Sequence, residues 1–295
     1  MNATGQVIRL FASACGDSSE PFRDAHIAAG NLDASAVFPF LEDGEEPLEH
    51  VEMKVPSSLG QPLPTPAEVV PAPWNVFRFT HESIAQLKCE ASTYPAEDVA
   101  WISTNDAVTA FFWQRLTLAR LARFPDVKTC SLIRAFDARR HLKLSSPEGF
   151  LGHCIFVCPT TTSVSNLKSA SLASLAQDLR RSIYAIDDHY ARSLATLLRD
   201  TDDRTTISYG AGLKTGLDML TSSFADLGLQ HCEFGPLLGK ALFARRPLLD
   251  DAEGISYLMP KTIDGDIDLV ISLRFDDIEA LKKDPVWTRH VEFIG

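Results

Sequence analysis

The chain has 295 residues, of which 45% are hydrophobic and 23% charged, a composition typical of a folded globular protein rather than a disordered one. Lys and Arg number 28 against 39 Asp and Glu, and the net charge of -11 argues against a nucleic-acid ligand, because phosphate backbones bind basic surfaces. The first residues carry no basic region followed by an apolar core, and no apolar run approaches about 20 residues, so we expect a cytoplasmic protein without a membrane anchor.

The first predicted helix spans residues 3–15, where apolar side chains fall at helical spacing and Gly16 follows as an end signal. From Gly16 to Pro73 the chain is irregular and rich in proline, which favours an extended connection. Beyond it, strands are predicted at 75–80, 129–136, 152–158, 255–260 and 267–274, the last two as a hairpin. Helices are predicted at 81–90, 104–122, 167–186, 191–198 and 276–283, with Thr104-Asn-Asp106 as the cap of the second. The order is mixed α/β, which disfavours a simple doubly wound sheet.

The cysteines are scattered without a Cys-x-x-Cys pair, which disfavours both a disulfide framework and a zinc site. No metal ligand set is expected. Free cysteine is among the most often buried residue types, so we predict buried free thiols. The six positions are Cys15, Cys89, Cys130, Cys154, Cys158 and Cys232.

Short motifs spread over almost the whole chain carry a resemblance to a known family. They lie at residues 1–12, 103–113, 134–139, 149–152, 222–224, 233–247 and 287–295. In this order and spacing, the chain resembles the trichothecene 3-O-acetyltransferase branch of the BAHD acyltransferase superfamily. The resemblance implies a chloramphenicol acetyltransferase-like fold of two α/β domains with a tunnel between them, which acyl-CoA enters from one side and the acceptor from the other. Acyl-CoA would be a co-substrate, and no permanently bound cofactor is implied.

The same resemblance divides the chain and leaves its first domain incomplete. Residues 1–60 correspond to a remnant of the N-terminal acyltransferase domain, 61–75 to a proline-rich crossover, and 76–295 to the C-terminal acyltransferase domain. A second polypeptide that completes the first domain is one partner that this division suggests. The other expected partners are acyl-CoA and a small-molecule acceptor, with neither nucleic acid nor membrane.

The central family motif, HxxxD, is not intact in this chain. Its histidine acts as general base on the acceptor, work that suits an imidazole with a pKa near neutrality. By resemblance, Asn2 stands at the position of the aspartate, and the histidine would lie before Met1. None of the eight histidines has an aspartate four residues on. From the residues alone, Asn2 is also an ordinary helix cap.

A second family motif, DFGWG, is a structural turn, and here it reads Glu233-Phe-Gly-Pro-Leu237 with Gly235 kept. The acid of that motif pairs with an arginine, for which Arg139 and Arg134 are the candidates. A buried ion pair with a glutamate in place of the aspartate needs adjusted geometry. Both arginines are alternatively interpreted as surface charges.

Two further groups are implied to meet acyl-CoA. Charge-assisted and neutral donors to its phosphates and pantetheine arm are expected from Ser222, Ser223, Lys240, Arg245 and Arg246, which are alternatively a solvated basic patch. His153 follows the Gly149–Gly152 stretch that resembles a segment facing the catalytic centre. It is a candidate donor to the thioester carbonyl, or alternatively a satisfied histidine at the rim of the core.

Three hypotheses about function follow from these motifs. The first is an acyltransferase that moves an acyl group, with acetyl the favoured one, from acyl-CoA to a hydroxyl or amine of a fungal secondary metabolite, with the catalytic histidine outside this chain. The second is a noncatalytic remnant that binds CoA or a metabolite. The third is a cyclase-type enzyme that uses the same pocket. General-base help contributes about 10² to 10⁴ in rate, so without the histidine only binding and orientation of the substrates would remain.

Overall fold

The structure, a computed structural model, describes residues 2–16, 37, 39–50, 52–53, 70–94, 96–138, 151–208, 216–247 and 250–295. The helices within these ranges are α1 (Asn2–Cys15), α2 (His81–Ala91), α3 (Thr104–Arg120), α4 (Val164–Ser169), α5 (Leu172–Tyr184), α6 (Asp188–Asp200), α7 (Gly235–Leu238), α8 (Phe275–Lys283) and α9 (Pro285–Thr288). The strands are β1 (Trp74–Phe79), β2 (Thr129–Asp137), β3 (Ile155–Ser163), β4 (Met219–Ser223), β5 (Ile255–Leu258), β6 (Ile267–Ser272) and β7 (Val291–Phe293).

The strands form a mixed seven-stranded sheet in the order β3-β2-β4-β5-β6-β1-β7. The pairs β2–β4 and β4–β5 are parallel, whereas β2–β3, β5–β6, β1–β6 and β1–β7 are antiparallel. The predicted hairpin of β5 and β6 and the mixed α/β class are confirmed.

The main core lies on one face of the sheet, under α2, α3, α5 and α8. α3 is the central helix of this layer, since Phe112, Trp113 and Leu116 are fully buried. Trp287 stacks on Phe111, with ring centroids 5.8 Å apart. A smaller core on the opposite face joins α6 to β2 and β3.

An ion cluster at the start of α3 fixes how α3 meets α5 and β2. Ser103 is the N-cap of α3, and its side chain exchanges hydrogen bonds with Asp106 in a capping box. The buried Asp106 carboxylate also accepts bonds from Arg134, at 2.9 Å, and from Arg180. Burial alone would raise the pKa of Asp106, but the two guanidinium groups outweigh it and hold that pKa below its ordinary value.

Three sequence expectations need correction. The cap predicted at 104–106 is Ser103. The helix predicted at 167–186 is two helices, α4 and α5, because Ser171 caps α5 by accepting the N–H of Ser174. The parallel strand β4 was not predicted at all. Most of the proline-rich connection lies outside the described residues, so the division at 60 and 75 stays a prediction.

Candidate functional site

α1 lies against the segment that follows β4. Arg9 Nη1 donates to the carbonyl of Leu227 at 2.8 Å, and the rings of Phe11 and Phe234 lie 6.0 Å apart. α1 begins at Asn2, although the side chain of Asn2 lies outside the described part of the structure. The structure therefore joins the first motif of the chain to the second, Glu233–Leu237, across more than 200 residues of sequence.

Gly235 makes the close approach of α1 possible. Its φ is +74°, and a Cβ at this position would lie 2.1 Å from the carbonyl oxygen of Cys15. Only glycine combines that backbone conformation with the absence of a side chain. The predicted structural role of Gly235 thus has a physical reason, the contact with the last turn of α1.

The predicted buried ion pair of Glu233 with Arg134 is wrong. Glu233 is exposed, and its backbone forms an isolated antiparallel bridge with Lys240. Arg134 is buried and bonds to Asp106 and to the carbonyl of Leu179 instead. The buried Asp106 carboxylate, in the first turn of α3, lies within hydrogen-bond distance of this arginine of β2. The other candidate partner, Arg139, lies outside the described residues.

A cleft of about 600 Å³ opens between α1, the stretch around Lys240–Arg245 and the turn between β5 and β6. Its walls are largely apolar, and Lys240, Arg245 and Lys261 bring positive charge to it. Because Lys261 Nζ donates to Asp226 at 2.7 Å, its charge is partly neutralised. The residues lining the cleft are Ile8, Leu229, Gln230, Phe234, Lys240, Ala241, Leu242, Phe243, Ala244, Arg245, Met259, Pro260, Lys261, Thr262, Ile263 and Asp268.

Asp268 fixes the base of this cleft. Its buried carboxylate accepts two bonds from Arg78, at 2.8 and 3.1 Å, and this partner raises the pKa of Arg78. Arg245 approaches the same carboxylate with Nη1 at 3.6 Å, beyond hydrogen-bond distance. Arg245 is exposed, so its charge stays available to a ligand in the cleft.

Arg246 and Ser222 lie on the sheet rather than among the cleft-lining residues. The guanidinium of Arg246 lies 3.7 Å from the ring centroid of Tyr257, which stacks on Trp74 at 5.7 Å. Ser222 pairs with Tyr257 in the parallel register and therefore faces the same side. Ser223 faces the opposite side, because successive side chains of a strand alternate. The basic and hydroxyl groups predicted to act together are thus divided among three places.

His153 lies at the far end of the sheet from the cleft. It is exposed just before β3 and lines a separate cavity beside α6. From β3 to β6, where Asp268 lies, there are four strand steps, or about 19 Å. The predicted action of His153 on a thioester carbonyl remains a prediction.

Sequence reasoning missed Asp268, Arg78 and Tyr257, which shape the surroundings of the basic residues. Asp268 and Arg78 lie 190 residues apart in sequence and meet only through the β1–β6 pairing. A lone aspartate in the strand Ile267–Ser272 was the one available signal, since a charge inside an apolar strand is buried only with a partner.

Comparison with known proteins places this arrangement in a family. The Transferase family matches residues 18–287. The chain belongs to this family. Its relatives include the O-acyltransferase pigD of Monascus ruber, 35% identical over 98% of this chain, and trichothecene 3-O-acetyltransferase TRI101 of Fusarium sporotrichioides, 34% identical over all of it. The resemblance to BAHD acyltransferases is confirmed.

A solved Transferase family structure extends the likeness to three dimensions. TRI101 of F. graminearum, complexed with coenzyme A and T-2 mycotoxin, matches all of this chain with a TM-score of 0.84 and 29% identity. This confirms the acyltransferase fold. The chain spans 63% of the length of pigD and 64% of both TRI101 chains. No helix among the described residues is long and apolar enough to cross a membrane.

Proposed function

We propose that this chain belongs to an acyltransferase that moves an acyl group, acetyl in the first instance, from acyl-CoA to a hydroxyl or amine of a fungal secondary metabolite. The observation that carries the proposal is the match of the whole chain to a relative whose structure is complexed with coenzyme A. The relatives' names are those of O-acyltransferases and O-acetyltransferases, which favours a hydroxyl acceptor.

The cleft beside α1 is the proposed place for the acyl-CoA phosphates. Lys240 and Arg245 are exposed cations on an apolar cleft, and an anionic ligand would find charge-assisted donors there despite the acidic total. Ser222 and Arg246, on the neighbouring sheet face, are proposed to meet the uncharged arm of the cofactor. Ser223, at the end of β4, is proposed to meet the cofactor with its backbone rather than with its side chain.

The general base is not assigned to any of the eight histidines, because none is followed by an aspartate at the family spacing. In this proposal the 295 residues bind and orient acyl-CoA, and proton removal from the acceptor depends on a group outside them. Binding without turnover is therefore the expected behaviour of the chain alone, since orientation persists when general-base help is lost.

The binding part is tested with methionines labelled in the 13C-methyl group. Met259 lines the basic cleft, whereas Met219 is fully buried in the main core. We expect coenzyme A to shift the Met259 methyl resonance in a saturable way and to leave Met219 in place. Lys240→Gln and Arg245→Gln should each weaken binding by about fivefold, as expected for an exposed charged contact, and the loss should shrink at raised ionic strength.

Lys168→Gln provides the matched control, since Lys168 is exposed at the end of α4, beside β3. It should bind coenzyme A like the unaltered chain. Failure of coenzyme A to shift Met259 at any concentration would refute the proposal. Thiol release from acetyl-CoA with a panel of alcohols then measures turnover, and we expect none above background; release by the chain alone would show that a group within the 295 residues serves as the base.

The remaining parts of the proposal concern organisation and location. We propose the division into residues 1–60, 61–75 and 76–295, supported by the fact that all seven described strands lie between Trp74 and Phe293. A cytoplasmic location is proposed because all six cysteines are free thiols, four of them buried, as is usual in reducing compartments.

A further inference from the structure

A second cavity, of about 290 Å³, lies between α6 and the start of β3, on the sheet face opposite the main core. Its volume is near the lower end of the range for small-molecule sites, about 300 to 1,000 Å³. The walls are mostly aliphatic and aromatic, and polar groups occur at only a few points. The lining residues are Met53, His153, Ile155, Phe156, Ala191, Leu194, Ala195, Leu198, Arg204, Ile207 and Ser208.

The Met53 wall of the cavity is held by a buried polar network. His50 Nε2 lies 2.9 Å from Ser193 Oγ, and His50 Nδ1 lies 3.2 Å from Glu52 Oε1. Tyr190 donates its hydroxyl to the same Glu52 oxygen at 2.7 Å. These contacts join the turn at 50–53 to α6 across more than 130 residues of sequence. Met53 is thereby fixed against the cavity rather than left on a mobile loop.

Backbone contacts also hold Met53 in place. The amide of Met53 donates to the carbonyl of His50 at 2.9 Å, and the amide of Ser208 donates to the carbonyl of Met53 at 2.8 Å. His50 has a φ of +48°, an unusual conformation for a residue other than glycine, which costs about 1 to 3 kcal/mol. Such strain persists only where the surroundings determine the conformation, so the wall is an integral part of the fold.

The polar groups of the cavity favour a neutral ligand. Arg204 supplies hydrogen-bond donors at the exposed rim, and none of the wall residues that the structure describes is acidic. Arg204, the charged side chain among the described wall residues, is exposed and therefore screened by water, whereas an anion buried among the apolar walls would lose its hydration.

We propose that this cavity binds a compact, mainly apolar, uncharged molecule that carries a hydroxyl or carbonyl oxygen. The apolar body packs between Phe156, Leu194 and Met53, whose flexible thioether adapts to ligand shape. The oxygen accepts a bond at the rim from Arg204. This site is distinct from the basic cleft and stands whether or not that cleft binds coenzyme A.

Methionine methyl resonances report on the two cavities separately. Met53 lines this cavity, Met259 lines the basic cleft, and Met219 lies in the main core. The probe is 2-naphthalenemethanol, a fused aromatic pair with one hydroxyl. We expect it to shift Met53 in a saturable way at concentrations that move neither Met259 nor Met219. The carboxylate analogue, 2-naphthoate, should bind at least about fivefold more weakly, because it adds the disfavoured charge.

Two variants locate the binding within the cavity. Ala195→Phe places a ring in the space and should weaken binding by about tenfold or more. Arg199→Phe, which adds the same ring at an exposed position on α6 outside the cavity, should leave the affinity unchanged. Tyr190→Phe removes the hydroxyl that holds Glu52, and should shift the Met53 methyl of the free protein while Met219 stays in place.

Several results would overturn the proposal. These are an unmoved Met53 resonance up to the solubility of the alcohol, a joint movement of Met53 and Met259, or tighter binding of the naphthoate. Should Ala195→Phe fail to fold, intermolecular nuclear Overhauser effects between the probe and the methyl groups of Leu194 and Met53 in the unaltered chain decide the matter. Their absence at a saturating probe concentration would exclude this cavity as the site.

Discussion

Replacing Gly235 by alanine tests whether close contact with the Glu233–Leu237 turn holds α1 in place. The new Cβ would lie 2.1 Å from the carbonyl oxygen of Cys15, whereas real Cβ contacts essentially never fall below 3.0 Å. The last turn of α1 must therefore move by about 0.9 Å or separate from the turn. Because Arg9 and Phe11 bind the same segment, such a movement strains their contacts as well.

The expected magnitude has two parts. A left-handed backbone costs an alanine about 1 kcal/mol, and a methyl group forced into a packed site costs about 1 to 3 kcal/mol more. The free energy of local opening of α1 should then fall by about 2 kcal/mol or more. Hydrogen exchange of the amides of α1, followed by mass spectrometry, should accelerate by about 30-fold or more, while the amides of β1 and β6 keep their protection.

Gly228→Ala separates the backbone penalty from the steric collision. Gly228 also has a positive φ, +70°, but a Cβ there would meet only Arg9 Nη1, at an ordinary 3.9 Å. This variant carries the backbone penalty without the collision, so α1 should exchange far more slowly than in Gly235→Ala. Equal exchange of α1 in the two variants would refute the reasoning, because the collision would then contribute nothing.

Two further predictions concern buried groups. Asp106→Asn should lower the free energy of unfolding by about 3 kcal/mol in urea titrations, since Arg134 and Arg180 lose their buried carboxylate; a loss below about 0.5 kcal/mol would contradict this. Because the folded pKa of Asp106 is lowered, the ionised carboxylate stabilises the fold above the unfolded pKa, about 3.9, and this stabilisation is lost as pH falls through the folded pKa. On acidification below about pH 4, Asp106→Asn should therefore lose less stability than the unaltered chain. Iodoacetamide should label exposed Cys89 readily in the native chain but not Cys130, whose pKa burial raises to about 12, as peptide mass spectrometry would show; early labelling of Cys130 would contradict the packing.

Much of the fold follows from local sequence signals. α3 is predicted because its apolar residues recur at helical spacing after a capping sequence, and β5 and β6 because two apolar runs flank a turn. β4 escapes prediction for a physical reason. Its sequence, Met219–Ser223, is short and ends in three hydroxyl residues, so only pairing with β2 and β5 on both sides makes it a central strand.

The candidate sites could be predicted only in part. Lys240 and Arg245 were found through resemblance, and their places on one cleft agree with a shared ligand. No local pattern could show that Arg246 instead stacks on Tyr257, because that ring comes from another strand. The cavity beside α6 could not be predicted from the sequence for the same reason. Met53 falls in a stretch without regular spacing, and only tertiary contacts bring it to α6.

The different contacts of Arg245 and Arg246 suggest different roles for the two cations. The carboxylate of Asp268 already accepts two bonds from Arg78, and the guanidinium of Arg245 lies 3.6 Å from that carboxylate and 5.2 Å from the ring centroid of Phe243. These are long contacts of an exposed side chain, so Arg245 loses little when it turns towards a phosphate. The guanidinium of Arg246 lies closer to its ring, 3.7 Å from the centroid of Tyr257, a contact worth about 0.5 to 1 kcal/mol at a partly exposed site, which a ligand would have to break. A charged ligand therefore gains more from Arg245. Arg246 is better suited to covering the sheet face on which Ser222 lies.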